Sequence, residues 1–593
     1  MLPAPHSRHG RHMKDLLKTL LCCALLGAAV SPAAGATPLQ TLMDDFTQLA
    51  REMDPVRAAE RGDQVAATRW PTNGPAAVTK RGRRLDAMSM LLASAELAGL
   101  RGEDALNRDW LRWRVGVLRE GLDFDAERIN FVSGDGFYTV GDYAALNTAP
   151  ITTAEAERWI ARVRALPAYY LAETANLRRG IDTSFTQPRP TVERAIADLS
   201  ERVARPAADS PLLAPLLRLP PDMPAAERDR LLAQGSDAVK TVVLPAERRL
   251  LVFLQEKYLP RARRGIGAST LPRGIAWYRY LVRLHTTTKL SPEAIHTLGE
   301  SEVKRIRAAM DAVIAETGFT GSFPEFLALA RSDPRFYVNA AQWGEKAADV
   351  AARADARLPQ FFGLLPRLPY RVAPIPAGLE SSSAGYLPGS PERGLPGRVV
   401  YKPWLAETLP TFGIAAWVLH EGAPGHHLQI ALAQELEGVP EYRRNDDITA
   451  FVEGWGLYAE KLGEEMGIYR DPWERFGRLS LEMWRACRLV IDTGIHALGW
   501  SRERAGACLR ENSALPATEI DYELDRYIAW PGQALAYKVG EQTLLRLRRE
   551  SEVALGEGFD IRAFHDVVLG AGALPLALLE ERVHAWIARG GKA

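Results

Sequence analysis

The chain has 593 residues, 47% hydrophobic and 25% charged, the balance of a soluble globular protein with a large core and room for several ordinary domains. Its 74 basic and 73 acidic residues almost cancel, and loss of the first 36 residues would leave 70 and 72. That excludes an electrostatic case for nucleic acid.

At the N-terminus Arg8, Arg11, Lys14 and Lys18 precede an apolar run at 20–30, and Ala34-Gly35-Ala36 follows as a cleavage site. Residues 1–36 therefore read as a signal peptide, with Met13 an alternative start, and the mature protein is expected to be periplasmic or secreted. The apolar run is shorter than the ~20 residues a bilayer span needs, so no stable membrane span is expected after signal removal. Cys22 and Cys23 would leave with the leader. The remaining Cys487 and Cys508 could pair, but two buried thiols are the favoured expectation, because both lie in helix-like apolar stretches and nothing sets them face to face.

Residues 37–270 read as an N-terminal helical region and 271–593 as a catalytic region, with a weak boundary at 204–270 that also suits one continuous domain. Leu39, Leu42, Phe46 and Leu49, and then Leu85, Met88, Leu91 and Leu92, recur at helical spacing. The stretch 129–150, broken by Gly134, Gly136 and Gly141 among aromatics, reads as a loop, either covering a cleft or lying on the surface. A helix over 153–179 is expected to end on Gly180 with cations in its last turn. Another restarts after Thr186-Gln187-Pro188, and the proline-rich 204–224 reads as a hinge or a long inter-helix loop. Ser291-Pro292-Glu293 predicts a helix start with Ser291 as N-cap. Between 368 and 404 the texture turns alternating and Pro/Gly-punctuated, as in Tyr370-Arg371-Val372 and Arg398-Val399-Val400-Tyr401, which predicts a small antiparallel sheet. Such a sheet is either purely structural or an edge for an extended substrate backbone.

Chemistry concentrates in the next stretch, Trp417-Val418-Leu419-His420-Glu421-Gly422-Ala423-Pro424-Gly425-His426-His427, which holds three of the eight histidines left after the leader. Imidazoles that hold an ion, beside a carboxylate that takes a proton from water, are what a zinc hydrolase needs. The familiar H-E-x-x-H spacing fails because Pro424 stands four after His420, so the second ligand comes later, past a Gly-Ala-Pro-Gly insertion that kinks or widens the helix. Glu453 and Glu460, seven apart on a predicted helix, share a face, so one can be a third ligand and the other can orient an imidazole. His496, four after Asp492, is a structural histidine or, if it reaches the cleft, an oxyanion donor. Trp530-Pro531-Gly532 starts a helix that carries Tyr537, either a core aromatic or a hydroxyl donor to a tetrahedral intermediate.

These residues resemble the bacterial domain-of-unknown-function family numbered 885, whose pattern of His-Glu, two residues, Pro-Gly-His-His is met at His420 to His427. Leu177-Arg178-Arg179-Gly180-Ile181, Thr286-Thr287-Thr288, Asp492-Thr493-Gly494-Ile495-His496 and Pro531-Gly532-Gln533-Ala534 also look like its signatures, while the loop at 137–150 departs from them. The family is largely uncharacterised and resembles, distantly, the helical zinc peptidases whose ligands are two His and one downstream Glu. The resemblance implies a mainly α-helical protein of zinc-peptidase-like architecture, its small sheet beside the active-site helix, holding one zinc ion (Zn2+) and acting on a peptide or small amide.

Simple periodicity and this resemblance disagree on the second ligand. At ~100° per residue His427 falls about 20° from His420 and His426 about 120° away. Pro424 breaks that helix, however, and related zinc peptidases commonly place Gly immediately before the second ligand, which matches Gly425-His426. The expectation is therefore a metal on His420, His426 and Glu453, with His427 and Glu460 behind them or as alternative ligands. Glu421 is the expected general base, and His496 and Tyr537 the oxyanion donors. The alternatives are a zinc amidase acting on a non-peptide amide or cell-wall fragment, and a non-catalytic helical protein whose Pro-Gly insertion has spoiled the site.

Overall fold

Thr37 opens the first helix by accepting the Gln40 amide on its hydroxyl. From there the computed structural model describes residues 37–375 and 384–592, so the expected signal peptide lies outside the described residues. The protein is mainly helical, 72% helix and 4% strand. Helix α1 (Pro38–Met53) buries Leu39, Leu42, Phe46 and Leu49, the four positions its spacing predicts, and α2 (Pro55–Glu60) follows at once. With α3 (Gly102–Leu122), α1 packs not on its sequence neighbours at 131–258 but into the same core as the C-terminal helices: Phe46 meets Tyr442 edge-on and Trp110 meets it tilted. Residues 131–258 build a second core around Tyr138, Leu166, Leu177 and Leu250. The apolar cores thus do not follow a cut near 270.

The stretch expected as a loop at 129–150 is ordered. A two-residue hairpin, β1 (Phe131–Val132) and β2 (Asp135–Gly136), leads into α4 (Val140–Asn147). The tight turns at its glycines mask a short helix whose Leu146 packs on the later sheet with Ile375, Leu387 and Val400. Helix α5 (Thr153–Asp182) runs through Gly180 instead of ending there. That glycine serves close packing, since a Cβ would lie 2.7 Å from the carbonyls of both Arg128 and Phe185, and the chain turns instead at Ser184, with φ of 54°. The proline-rich 204–224 is anchored by buried Leu212, Leu213 and Leu216.

Helix α6 (Gly274–Thr286) precedes α7 (Pro292–Glu316), which Ser291 caps by accepting the Ala294 amide. The sheet comes next: β3 (Tyr370–Pro374), β4 (Gly385–Leu387) and β5 (Gly397–Tyr401), in spatial order β3-β5-β4. It is mixed, not antiparallel as expected. Strands β3 and β5 pair in parallel, Arg371 opposite Arg398, while β4 pairs antiparallel with β5 and is an outer strand among the described residues. Alternation in the sequence marks strands but not their direction, and the connection from β3 through β4 to β5 is long enough for a parallel return.

The site rests on the remaining helices: α8 (Ile414–Glu421), α9 (His426–Glu435), α10 (Thr449–Glu465), α11 (Pro472–His496), α12 (Arg502–Asn512), α13 (Ala517–Ala529) and α14 (Ala536–Leu555). Helix α11 lies along α7, and α10 along α14. The second contact depends on two glycines: a Cβ on Gly540 would fall 1.9 Å from the Ala450 carbonyl, and one on Gly454 2.6 Å from the Gly540 backbone.

Cys487 of α11 and Cys508 of α12 form a disulfide, with Cα atoms 5.7 Å apart, which corrects the expectation of two thiols. The sequence shows each cysteine on an apolar helix but not that α12 folds back along α11, and that return is what sets them face to face. A bond closing a loop of this size contributes about 3 kcal/mol through the unfolded chain. The C487S/C508S double variant is expected to lose about that much in denaturant unfolding, and alkylation of the unfolded native protein without reductant should label neither cysteine. Labelling of both in protein recovered from the cell envelope would contradict the bond.

Candidate metal centre

Helix α8 stops at Glu421 and α9 starts at His426, so the two histidine-bearing turns belong to separate helices. Between them lies a four-residue turn containing a cis Ala423–Pro424 bond. The His427 amide donates to the Gly422 carbonyl at 3.1 Å, and the Trp455 indole donates to the Pro424 carbonyl at 2.8 Å, which ties the turn to α10. Gly425 is required here, since a Cβ would stand 2.0 Å from the His420 carbonyl.

This turn brings His420 and His426 ring to ring, with centroids 4.6 Å apart. Nε2 of His420 lies 3.4 Å, and Nε2 of His426 3.5 Å, from the same oxygen of Glu453, Oε2. Donors on a tetrahedral ion with bonds of 2.0–2.1 Å are about 3.3–3.4 Å apart, so the spacing suits zinc. Glu453 Oε2 is buried and makes no hydrogen bond. Such an orphan oxygen costs more than ~1–3 kcal/mol unless matched, a cost that a cation at this point would offset. Burial by itself would push the Glu453 carboxyl up, but the two imidazoles pull it well below its usual range. For His420, burial pushes the ring down, and the Glu453 and Glu460 carboxylates outweigh it and raise it to about 9.

Behind the ring, Glu460 Oε1 sits 2.8 Å from His420 Nδ1, with the Arg485 guanidinium 3.6 Å from the same oxygen. A carboxylate on Nδ1 holds the proton there and turns Nε2 toward the donor cluster. The ring also lies flat on Gly456, where a Cβ would be 2.6 Å from its Cε1. His427 faces elsewhere. Its ring packs at a tilt against Tyr370, with centroids 4.3 Å apart, its Nδ1 is 3.1 Å from the Tyr386 hydroxyl, and burial pushes it down to about 4, so it is neutral.

His420, Glu421 and His426 also present donor atoms within 4.8 Å of one another, so the two carboxylates compete for the third position. Their partners separate them. Glu421 Oε2 accepts the Tyr386 amide of β4 at 2.8 Å, whereas Glu453 Oε2 makes no hydrogen bond among the described residues and faces only the two imidazoles. Glu453 therefore fits a ligand, and Glu421 a group held beside the cluster and open to a cavity of about 600 Å³ that Glu421, His426, Gln429, Glu453 and Tyr537 line. A larger cleft of about 1020 Å³, bounded by Met43, Arg51, Trp70 and Arg84, holds none of these groups.

Tyr537 stands at the cavity with its ring parallel to that of His420, 6.3 Å between centroids. Burial and the nearby Glu453 charge raise its hydroxyl above the ordinary value, which keeps it a neutral donor, and the Arg488 guanidinium lies 4.3 Å over its ring. His496 does not reach the cavity, which corrects its expected oxyanion role. It is fully buried, its Nδ1 accepts the Ala268 amide at 2.9 Å and its Nε2 donates to the Tyr527 carbonyl at 2.9 Å, while burial pushes it down to about 3. One turn earlier, Asp492 accepts the Tyr278 hydroxyl at 2.6 Å and the Gly532 amide at 3.0 Å. Asp492 thus fastens the turn from which α14 and Tyr537 start, so this part of the motif builds the site without touching it. Tyr386 is the functional residue that sequence reasoning missed. Its signal was the short Gly385-Tyr386-Leu387 strand, too short for alternation to mark.

The family described as "Bacterial protein of unknown function (DUF885)" matches residues 55–583 of the chain. A crystal structure described as "the putative lipoprotein from Colwellia psychrerythraea" is 26% identical, with a TM-score of 0.85 over 93% of this chain and 100% of that one. The structure of "a putative lipoprotein of unknown function from Shewanella oneidensis" is 17% identical, with a TM-score of 0.67 over 92% of this chain and 99% of that one, a likeness of fold. No curated protein matches the chain.

Proposed function

We propose that this chain, which belongs to the bacterial DUF885 family, is an exported zinc-dependent hydrolase that cleaves short peptides. The observation that supports it most is the buried Glu453 Oε2, which makes no hydrogen bond among the described residues and lies 3.4 and 3.5 Å from two imidazole nitrogens, at the wall of a cavity and beside a second, separately held carboxylate. The chemistry supplied by a zinc ion on His420, His426 and Glu453 is Lewis acidity, which acidifies water and polarises a carbonyl. Glu421, fixed by the Tyr386 amide, takes a proton from the attacking water and returns it to the leaving amine. Tyr537, neutral and aimed from α14, donates its hydroxyl to the oxyanion that forms from the scissile carbonyl. Glu460 keeps His420 oriented throughout.

A peptide is favoured over other amides because β4, an outer strand of the sheet among the described residues, lies beside Glu421, where an extended substrate backbone can run along it. Export is supported by the charged and apolar leader and by the lipoprotein descriptions of the similar structures. No helix among the described residues is long and apolar enough to cross a membrane.

Metal analysis of the purified mature chain should give about one zinc per molecule. A synthetic peptide library should be cleaved by that protein, spared after chelation and cleaved again when zinc is returned. A zinc-loaded protein that cleaves no peptide sinks the reading, and one that cleaves only non-peptide amides replaces it with the amidase.

A further inference from the structure

On the wall of the same cavity stand two arginines with no ion-pair partner among the described residues. Arg371 of β3 and Arg398 of β5 are directly opposed across the parallel pair, and both line the cavity. Like charges in direct cross-strand register are unfavourable by a few tenths to ~1 kcal/mol. Neither guanidinium has a hydrogen bond or an ion pair among the described residues, although Arg398 is half-buried. Arg218 adds a third positive charge nearby, with its guanidinium donating to the Ala145 and Thr148 carbonyls at 2.6 and 3.0 Å. Burial and the Arg371 charge lower Arg398, and burial and the Arg398 charge lower Arg218, so Arg398 is repelled from both sides. The carboxylate that acts on Arg398 is Glu60 of α2, which is bonded to Asn147 at 3.1 Å and pushed up to about 7 by burial.

This arrangement is unfavourable for the protein alone and favourable with an anion present. Glu421 and Glu453 line the same cavity, so a negative group on a substrate is drawn toward the arginines and away from these two carboxylates. Register fixes the scale. Arg398 pairs with Leu387 of β4, and the neighbouring Tyr386 holds Glu421. One strand spacing and one residue rise put the Arg398 and Tyr386 backbones roughly 6 Å apart.

We propose that Arg398 and Arg371 bind a carboxylate of the peptide substrate within one or two residues of the scissile bond, either the C-terminal carboxylate or an acidic side chain. This rests on the peptidase reading and names its substrate class. Guanidinium forks recognise carboxylates bidentately, so the pair suits a carboxylate near the reacting end of the substrate.

The test measures binding of three peptides by calorimetry to zinc-loaded protein carrying Glu421→Gln, so that turnover does not intervene: tetra-alanine acid, its C-terminal amide, and the amide with one alanine replaced by glutamate. Binding of the acid, the glutamate amide or both should exceed that of the plain amide by roughly 10- to 100-fold, the scale of one charge-assisted pair. A preference for the acid alone assigns the C-terminus, and one for the glutamate amide assigns the side chain. Adding Arg398→Gln should erase the preference without loss of zinc or of melting temperature, while Arg398→Lys should keep part of it. Should Arg398→Gln fail to fold, the exposed Arg371→Gln decides by the same readout. Equal binding of the three peptides, absence of binding, or a preference that survives both Gln variants overturns the proposal. If the preference is present and lost in the variants while the Glu421 protein cleaves nothing, the carboxylate site stands and the hydrolase reading falls.

Discussion

Glu421→Gln is expected to leave zinc in place and to lower kcat by about 10²–10⁴-fold, the usual contribution of one acid–base group, with KM little changed. Gln keeps the size of the side chain and an oxygen for the Tyr386 amide, which Glu421 accepts at 2.8 Å, so the strand edge and the cavity wall stay where they are. It lacks the basicity to take a proton from water. Binding energy realised equally in ground and transition states is unaffected, and the loss falls on kcat. Metal content and steady-state rates on one cleaved peptide, measured on the same preparation, decide the matter. Loss of zinc together with activity would make Glu421 a ligand, as the close set of His420, Glu421 and His426 allows, and would pass the role of base to Glu453.

What the sequence could convey about this protein depended on range. Helices announced themselves wherever a buried face repeats within a few turns: Leu39, Leu42, Phe46 and Leu49 are all buried, and Ser291 caps the helix it was expected to cap. Relations between distant elements were hidden. Nothing local says that the helix with Cys508 returns along the helix with Cys487, or that β3 and β5 run parallel with β4 outside them. The same limit shaped the site. His420, Glu421, His426, Glu453 and Glu460 stand out because imidazole and carboxylate are conspicuous on apolar helices, and the structure brings these five together. His496 was equally conspicuous and is a buried strut, because a histidine with a carboxylate one turn away looks the same whether its nitrogens meet substrate or the Ala268 amide and the Tyr527 carbonyl. Tyr386 contributes a backbone amide to the site, and an amide leaves no mark in residue type.

The second large effect concerns the adjacent histidines. On an unbroken helix His427 would share the face of His420, and the sequence has a helix-like run on both sides of the insertion. In the structure the run is broken at 422–425, and the axes before and after it are independent, so angular counting from His420 does not carry across. His426 is the residue whose Nε2 lies 3.5 Å from Glu453 Oε2, while the ring of His427 is engaged by Tyr370 and Tyr386. If ~10–16 kcal/mol of zinc binding is shared over four ligands, each carries roughly 2.5–4 kcal/mol, so His426→Ala is expected to weaken zinc binding by about 10²- to 10³-fold and to leave dialysed protein nearly empty. His427→Ala removes a ring that packs at a tilt against Tyr370 and meets the Tyr386 hydroxyl. Because Tyr386 also supplies the amide that fixes Glu421, the expected result is a lower kcat at close to full zinc content, with affinity down by no more than the ~10–100-fold typical of groups behind the ligands. Zinc stoichiometry and competition against a chromophoric chelator, read on both variants alongside peptide turnover, separate the two roles. A filled site in His426→Ala with an empty one in His427→Ala would mean that the turn at 422–425 does not hold in solution and that the helix runs straight through it.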